Sequence, residues 1–140
     1  MSLGPENRPP FYWPIRVYYE DTDAGGVVYY ANYLKFFERA RTEWLRSLGF
    51  EQDILREEQG VIFVVSSVQV EYKRVIKFND ELRVSCALTA MSAAAMTFHQ
   101  VAERTSDGAE LSEATVRIVC VNAESFKPKP IPNVLRSCCL

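Results

Sequence analysis

The sequence predicts an α+β fold in which an antiparallel sheet of about five strands curls around one long helix. Three observations carry that expectation. Between Ala31 and Leu48 the apolar positions Leu34, Phe37, Trp44 and Leu48 recur by threes and fours, with Phe36, Ala40 and Leu45 widening the stripe and only Arg41 interrupting it. That spacing puts one apolar face on a helix of about five turns. After Gly60 the period changes to two: Val68, Val70 and Tyr72 alternate with Gln69, Glu71 and Lys73, and Leu82, Val84, Cys86 and Leu88 alternate with Arg83, Ser85 and Thr89. The strands are joined by short turns such as "NDE" and "SDG", which favour antiparallel neighbours. A single striped helix has to bury its face on that sheet.

In order along the chain, residues 1–14 hold four prolines and read as an extended arm. From Ile15 to Glu20 the alternation of Ile15, Val17 and Tyr19 with Arg16, Tyr18 and Glu20 predicts a half-buried strand. "DTDAGG" supplies turn residues. Gly49 stops the long helix as a C′ glycine does, and Phe50 is placed to fold back on its last turn. "EQDILREEQG" predicts a short second helix ended by Gly60, and four long strands follow. The proline-rich "KPKPIPN" closes the domain. The expected organisation is an arm over 1–14, one folded domain over 15–122 and a C-terminal tail over 123–140, a size typical of one domain. A sheet of about five strands covered by one helix leaves edge and apolar surface exposed, so assembly by sheet pairing into a homodimer or homotetramer is expected.

Composition narrows the function. A net charge of −2 over 140 residues gives no general attraction to nucleic acid or to an anionic membrane surface. No apolar run approaches the roughly 20 residues that span a bilayer, and the N-terminus lacks the order of a signal peptide. Cys86 and Cys120 fall in strand-like runs and read as small buried thiols, whereas Cys138 and Cys139 sit in a loose tail. This suits a reducing cytoplasm. With one histidine and no paired-cysteine spacing, no metal site is expected. His99, in "MTFHQVAER", reads as an ordinary strand histidine and has no G-x-S-x-G elbow to serve. "AGG" has neither the spacing nor the lysine of a phosphate loop. "EDTD" has three carboxylates, but the twelfth position counted from Asp21 is Asn32, so the calcium-loop pattern fails.

What remains is a carboxylate beside a helix N-terminus. The free N–H groups of a first helical turn favour developing negative charge, and an oxyanion formed at an acyl carbon suits them. A carboxylate across a Gly-Gly turn is placed to attack that carbon or to activate water. Gly25 and Gly26 let backbone approach a substrate closely. The plainer alternative is a turn of solvated acids that stabilises the helix N-terminus.

"YYEDTDAGGVVYYANYLKFFERARTEWL" resembles the signature of the hotdog-fold acyl-CoA thioesterases. It is similar to the 4-hydroxybenzoyl-CoA thioesterase group and, within it, to the tol-pal-associated thioesterases. The resemblance extends over most of residues 15–122. It implies a central helix wrapped by a sheet, hydrolysis of acyl-CoA, and no cofactor beyond the coenzyme A carried by the substrate. It assigns the catalytic carboxylate to Asp23. Tol-pal-type members carry a histidine where this chain has Tyr30; in the 4-hydroxybenzoyl-CoA group a tyrosine stands there, and its backbone N–H polarises the thioester carbonyl. That N–H role transfers to Tyr30. Tyr19 matches a tyrosine proposed for the site, with packing on the first strand as its equal alternative. Gly26 is expected beside the substrate, and Lys73 and Arg74 near the coenzyme A phosphates, with Lys77 in the same basic cluster. Glu38 is a second candidate carboxylate, favoured instead as an i,i+3 partner of Arg41. Acyl carrier protein is a further candidate partner. The rival from another class is a hotdog protein that binds acyl-CoA or acyl carrier protein without hydrolysis; a related dehydratase lacks its histidine here.

Overall fold

The computed structural model describes residues 10–139. The order of elements is β1 (Phe11–Arg16), α1 (Tyr33–Ser47), α2 (Gln52–Gln59), β2 (Val61–Tyr72), β3 (Glu81–Met91), β4 (Ala95–Arg104), β5 (Glu110–Asn122) and α3 (Asn133–Cys139). The five strands form one antiparallel sheet in the order β1-β3-β4-β5-β2. The expected hotdog architecture, one sheet around one long helix, is present.

The helix buries the face its spacing dictates. Tyr33, Phe36, Phe37, Ala40, Trp44 and Leu45 are its buried residues, and each large one contributes about 1.5–3 kcal/mol of apolar burial. Leu34, counted in the stripe, is instead exposed. Termination follows the expected C′ glycine. Gly49, at a φ of 95°, donates its N–H to Arg46 O, and the Phe50 N–H reaches Leu45 O. These are the two bonds of a Schellman motif. The sheet is anchored to α1 through a buried glutamine on β4. Gln100 donates from Nε2 to Phe37 O at 2.9 Å and to Ser85 O, and accepts from Arg41 Nη1 at 3.0 Å.

Three boundaries differ from expectation. The first strand begins at Phe11, inside the expected arm, and pairs with β3 from Phe11↔Cys86 to Arg16↔Glu81. Pro14 is tolerated because β1 is an edge strand and needs no N–H on its open side. Residues 1–9 of that arm lie outside the described residues. The chain leaves the sheet at Val17, so Tyr19 is not on a strand's buried face. It opens a 3₁₀ turn, Tyr19–Asp21, and is 80% exposed. Nor is the C-terminal segment loose. Ile131, Leu135 and Cys139 are buried with Trp44, Leu55, Phe98 and Cys120 in one apolar cluster, and Arg136 Nη2 donates to the carbonyls of Ser92 and Ala93 at the β3–β4 turn.

The two edges of the sheet are unlike. β1 is short and carries a proline, whereas β2 is twelve residues long, leaves one side unpaired among the described residues, and exposes Val65, Val68 and Tyr72.

Candidate active site

The loop joining β1 to α1 is held by its own side chains. Asp21 is buried at 6% exposure, and its Oδ2 accepts the Tyr18 N–H at 2.8 Å. Its carbonyl accepts both the Tyr29 N–H, at 3.1 Å, and Asn32 Nδ2, at 3.0 Å. Asn32, the residue just before α1, therefore ties the helix start to the loop. Among the "EDTD" acids, Asp21 is a brace and not a surface residue.

Two residues later the chain makes a tight reversal. Asp23 N–H donates to Val27 O and Gly26 N–H to Asp23 O. Gly26 sits at a φ of 79°, in the left-handed region that glycine adopts without strain. Gly25 is needed for a different reason. A Cβ on it would lie 3.2 Å from Asp23 Oδ1, which its own N–H holds at 2.8 Å. The turn is stitched to the β2–β3 connection by Val28 N–H to Ile76 O and Phe78 N–H to Gly26 O.

Asp23 faces an open groove of about 530 Å³. Its other walls are Val28, Tyr29 and Tyr30 of the loop, Tyr33 of α1, Tyr72 at the end of β2, and Lys73, Arg74 and Val75 beyond it. Tyr30 opens a 3₁₀ turn, Tyr30–Asn32, that runs straight into α1. No residue among those described accepts the N–H of Tyr30 or of Ala31, whereas the Asn32 N–H is taken by Tyr29 O. An acidic side chain and the residue that carries an uncommitted helix-start N–H, Tyr30, thus border one groove, a combination suited to acyl transfer at a carbonyl.

The tyrosines pack in order around this groove. Tyr29 and Tyr30 rings are 4.7 Å apart, Tyr30 and Tyr72 6.2 Å edge-on, and Tyr33 and Tyr72 5.0 Å edge-on. Tyr72 donates its hydroxyl to Tyr30 O, fixing the backbone beside the free N–H groups. Tyr33 accepts the Ile76 N–H, and burial raises its phenol. The hydrogen bond to Tyr30 raises the phenol of Tyr29.

Asp23, Tyr30, Lys73 and Arg74 all line this one groove, but the basic pair divides. Lys73 Nζ is engaged by Glu110 at 3.1 Å and Glu113 at 2.9 Å. The Arg74 guanidinium has no hydrogen bond or ion pair among the described residues. Tyr19 and Gly26 do not line the groove; the Tyr19 ring packs edge-on against Phe78. His99 lies on the outer sheet face and pairs with Glu113 at 2.6 Å. Glu38 is not paired with Arg41, which turns instead to Gln100. Sequence reasoning missed Tyr29, Tyr33 and Tyr72 as walls; the clustering of tyrosines around the motif was the available signal. The buried Cys86 thiol is pushed up to about 12, so it is not a nucleophile.

The chain matches the thioesterase-like superfamily over residues 17–138. It is 46% identical over 127 residues to the acyl-CoA thioesterase YbgC of Haemophilus influenzae, covering 91% of this chain and 92% of that one. It is 44% identical over 126 residues to the acyl-CoA thioester hydrolase YbgC of Escherichia coli O6:H1, covering 90% and 92%. A probable thioesterase from Bartonella henselae superposes with a TM-score of 0.83 at 32% identity, over 89% of this chain and 100% of the other. A 1,4-dihydroxy-2-naphthoyl-CoA thioesterase from Synechocystis shares the fold, with a TM-score of 0.86 at 21% identity over 94% and 96%. With a wrapped helix, a loop carboxylate and kinship over nine-tenths of its length, the chain belongs to the thioesterase-like superfamily.

Proposed function

We propose that this protein hydrolyses acyl-CoA thioesters to a free acid and coenzyme A, with Asp23 as the reacting carboxylate. One observation carries the reading: Asp23 shares a groove with Tyr30, whose helix-start N–H no described residue accepts. The thioester carbonyl oxygen points at the N–H of Tyr30, and the helix dipole favours the charge that develops there. Asp23 either attacks the acyl carbon, giving a mixed anhydride that water opens, or takes a proton from an attacking water. In both routes the C–S bond breaks, water supplies the acid's second oxygen, and coenzyme A leaves as the thiol. No metal or resident cofactor takes part.

Arg74 is the cation available to a coenzyme A phosphate, with Lys73 held to carboxylates beside it. The open edge of β2 pairs with the same edge of a second copy, giving a homodimer, or a homotetramer built from two; the 12-residue edge and its exposed valines support this. Acyl carrier protein presents the same thioester chemistry. The buried thiols of Cys86 and Cys120 suit the cytoplasm.

The test is Asp23→Asn. Hydrolysis of acyl-CoA, followed by release of free thiol, should fall about a thousandfold in kcat/KM. The melting temperature should hold, because an Asn Oδ1 still accepts the Gly25 N–H. Wild-type turnover in that variant would sink the mechanism.

A further inference from the structure

Four tyrosines border the Asp23 groove, and their hydroxyl protons are placed differently. The Tyr72 hydroxyl donates to Tyr30 O. The Tyr29 and Tyr30 hydroxyls bond each other, and both residues are exposed. Tyr33 is 4% exposed. Its oxygen accepts the Ile76 N–H at 3.2 Å, and its proton has no acceptor among the described residues. A buried hydroxyl that accepts one bond and makes none keeps a donor in reserve for a bound molecule.

The local structure places that donor. Tyr33 is the first residue of α1, three after Tyr30. Long side chains lean toward a helix's N-terminus, so the Tyr33 ring covers the turn that carries the Tyr30 N–H. The Tyr33 N–H donates to Tyr30 O, the same carbonyl that takes the Tyr72 hydroxyl, and the Tyr33 and Tyr72 rings meet edge-on at 5.0 Å. The hydroxyl end of the ring is pinned by the Ile76 N–H. Val75, one residue earlier, and Val28, whose N–H donates to Ile76 O, line the groove with it. Asp23 borders the same groove, and its carboxylate takes only the Gly25 N–H among the described residues. The Tyr33 proton is therefore not spent on the carboxylate.

We propose that the Tyr33 hydroxyl is a catalytic donor that hydrogen-bonds the thioester oxygen together with the Tyr30 N–H. This rests on the thioesterase reading above. One N–H leaves lone pairs of a developing oxyanion open, and a donor already fixed in place fills one without rearrangement. The proton stays on Tyr33 throughout. The bond tightens as charge builds on the oxygen and relaxes when the C–S bond breaks and the carbonyl re-forms. Burial holds the phenol above the ordinary tyrosine range, so it is a donor and not a phenolate at neutral pH.

The experiment measures steady-state kinetics with whichever of acetyl-, hexanoyl- and benzoyl-CoA the wild type turns over fastest. Tyr33→Phe should lower kcat about a hundredfold with KM within about threefold, the signature of a contact made in the transition state. Its melting temperature should fall by several degrees, because the Ile76 N–H loses a buried acceptor. A ring-fluorinated tyrosine in place of Tyr33 separates donation from that structural part and carries the test if Tyr33→Phe does not fold. Fluorine acidifies the phenol but leaves an oxygen to accept the Ile76 N–H, so the fold should hold. A phenolate cannot donate, so kcat should fall with rising pH at a lower pH than in the wild type. The other titratable groups on the groove, Asp23, Tyr29, Tyr30, Tyr72, Lys73 and Arg74, are the same in both proteins, so movement of this alkaline limb reads Tyr33. A folded Tyr33→Phe with kcat within about threefold of wild type, or an alkaline limb unmoved by fluorination, would overturn the donor. Absence of turnover in the wild type on all three substrates would instead overturn the thioesterase reading, and the donor with it.

Discussion

Asp21 and Asp23 stand two residues apart in one loop and do opposite things. The Val17–Thr22 half is closed on itself: Asp21 is buried, its carboxylate holds the Tyr18 N–H, and its carbonyl holds Tyr29 and Asn32. The Asp23–Tyr30 half is open. Asp23 is exposed, its carboxylate keeps a single bond to the Gly25 N–H, and the N–H groups of Tyr30 and Ala31 are uncommitted among the described residues. A carboxylate whose lone pairs are already taken is a brace. One that faces a groove with spare acceptor capacity is available for chemistry. The brace also serves the chemistry, because the same Asp21 carbonyl fixes where the helix begins.

Exchanging each acid for its amide should separate the halves. Asp23→Asn removes about a thousandfold in kcat/KM while the fold stands. Asp21→Asn replaces a buried charge-assisted acceptor by a weaker one and adds a donor with no place to go. That costs about 2 kcal/mol, seen as a fall in melting temperature of roughly 5–10 °C. Its activity, measured well below the transition, should drop at least about tenfold less than that of Asp23→Asn. If Asp21→Asn abolished turnover with an unchanged melting temperature, the division of labour between the two acids would be wrong.

The glycines offer a finer contrast. Gly26→Ala meets no atom within 4 Å but forces a side chain onto a φ of 79°, so it should cost about 1 kcal/mol of stability. Gly25→Ala has no such backbone strain, yet its Cβ would press on Asp23 Oδ1 at 3.2 Å. If Asp23 is the reacting carboxylate as proposed, displacing its oxygen should lower kcat about tenfold with little change in melting temperature. Denaturant titration beside steady-state kinetics on both variants reads the two effects independently; matching losses in both columns would erase the distinction.

How much of this the sequence carries depends on how local the cause is. The helix is legible because its stripe and its Gly49 stop are written within about five turns of chain, and the alternation of β3 to β5 is equally local. The start of β1 is hidden because Pro14 reads as a strand breaker until the strand is known to be an edge. Tyr19 alternates like a strand residue, but the Asp21 side chain holds the Tyr18 N–H three residues back and curls the backbone away from the sheet. The tail reads as loose although Ile131, Leu135 and Cys139 recur at helical spacing; its prolines mask a pattern that packing makes plain. The placement of Asp23 in a turn beside the helix start is legible from the motif. What sets Arg74 apart from Lys73 is not, since it depends on Glu110 and Glu113 reaching across from β5.

The smallest expected effect is the most informative about the open half of the loop. The groove offers two parts of Tyr30, its backbone N–H and its phenol, and only the first has no partner among the described residues. The Tyr72 hydroxyl holds Tyr30 at its carbonyl, so the backbone stays in place when the side chain changes. Tyr30→Phe and Tyr30→His should therefore each keep kcat within about threefold, far from the hundredfold or more that loss of an oxyanion donor brings. In Tyr30→Phe the Tyr29 phenol loses the hydrogen bond that raises it, so spectrophotometric titration should show one tyrosine moving to lower pH while turnover persists. That pairing confirms that the side chain was removed from its contact without consequence for catalysis. A several-hundredfold loss of kcat with the same titration shift would move the work at this position from backbone to phenol, and the helix start would no longer account for the oxyanion.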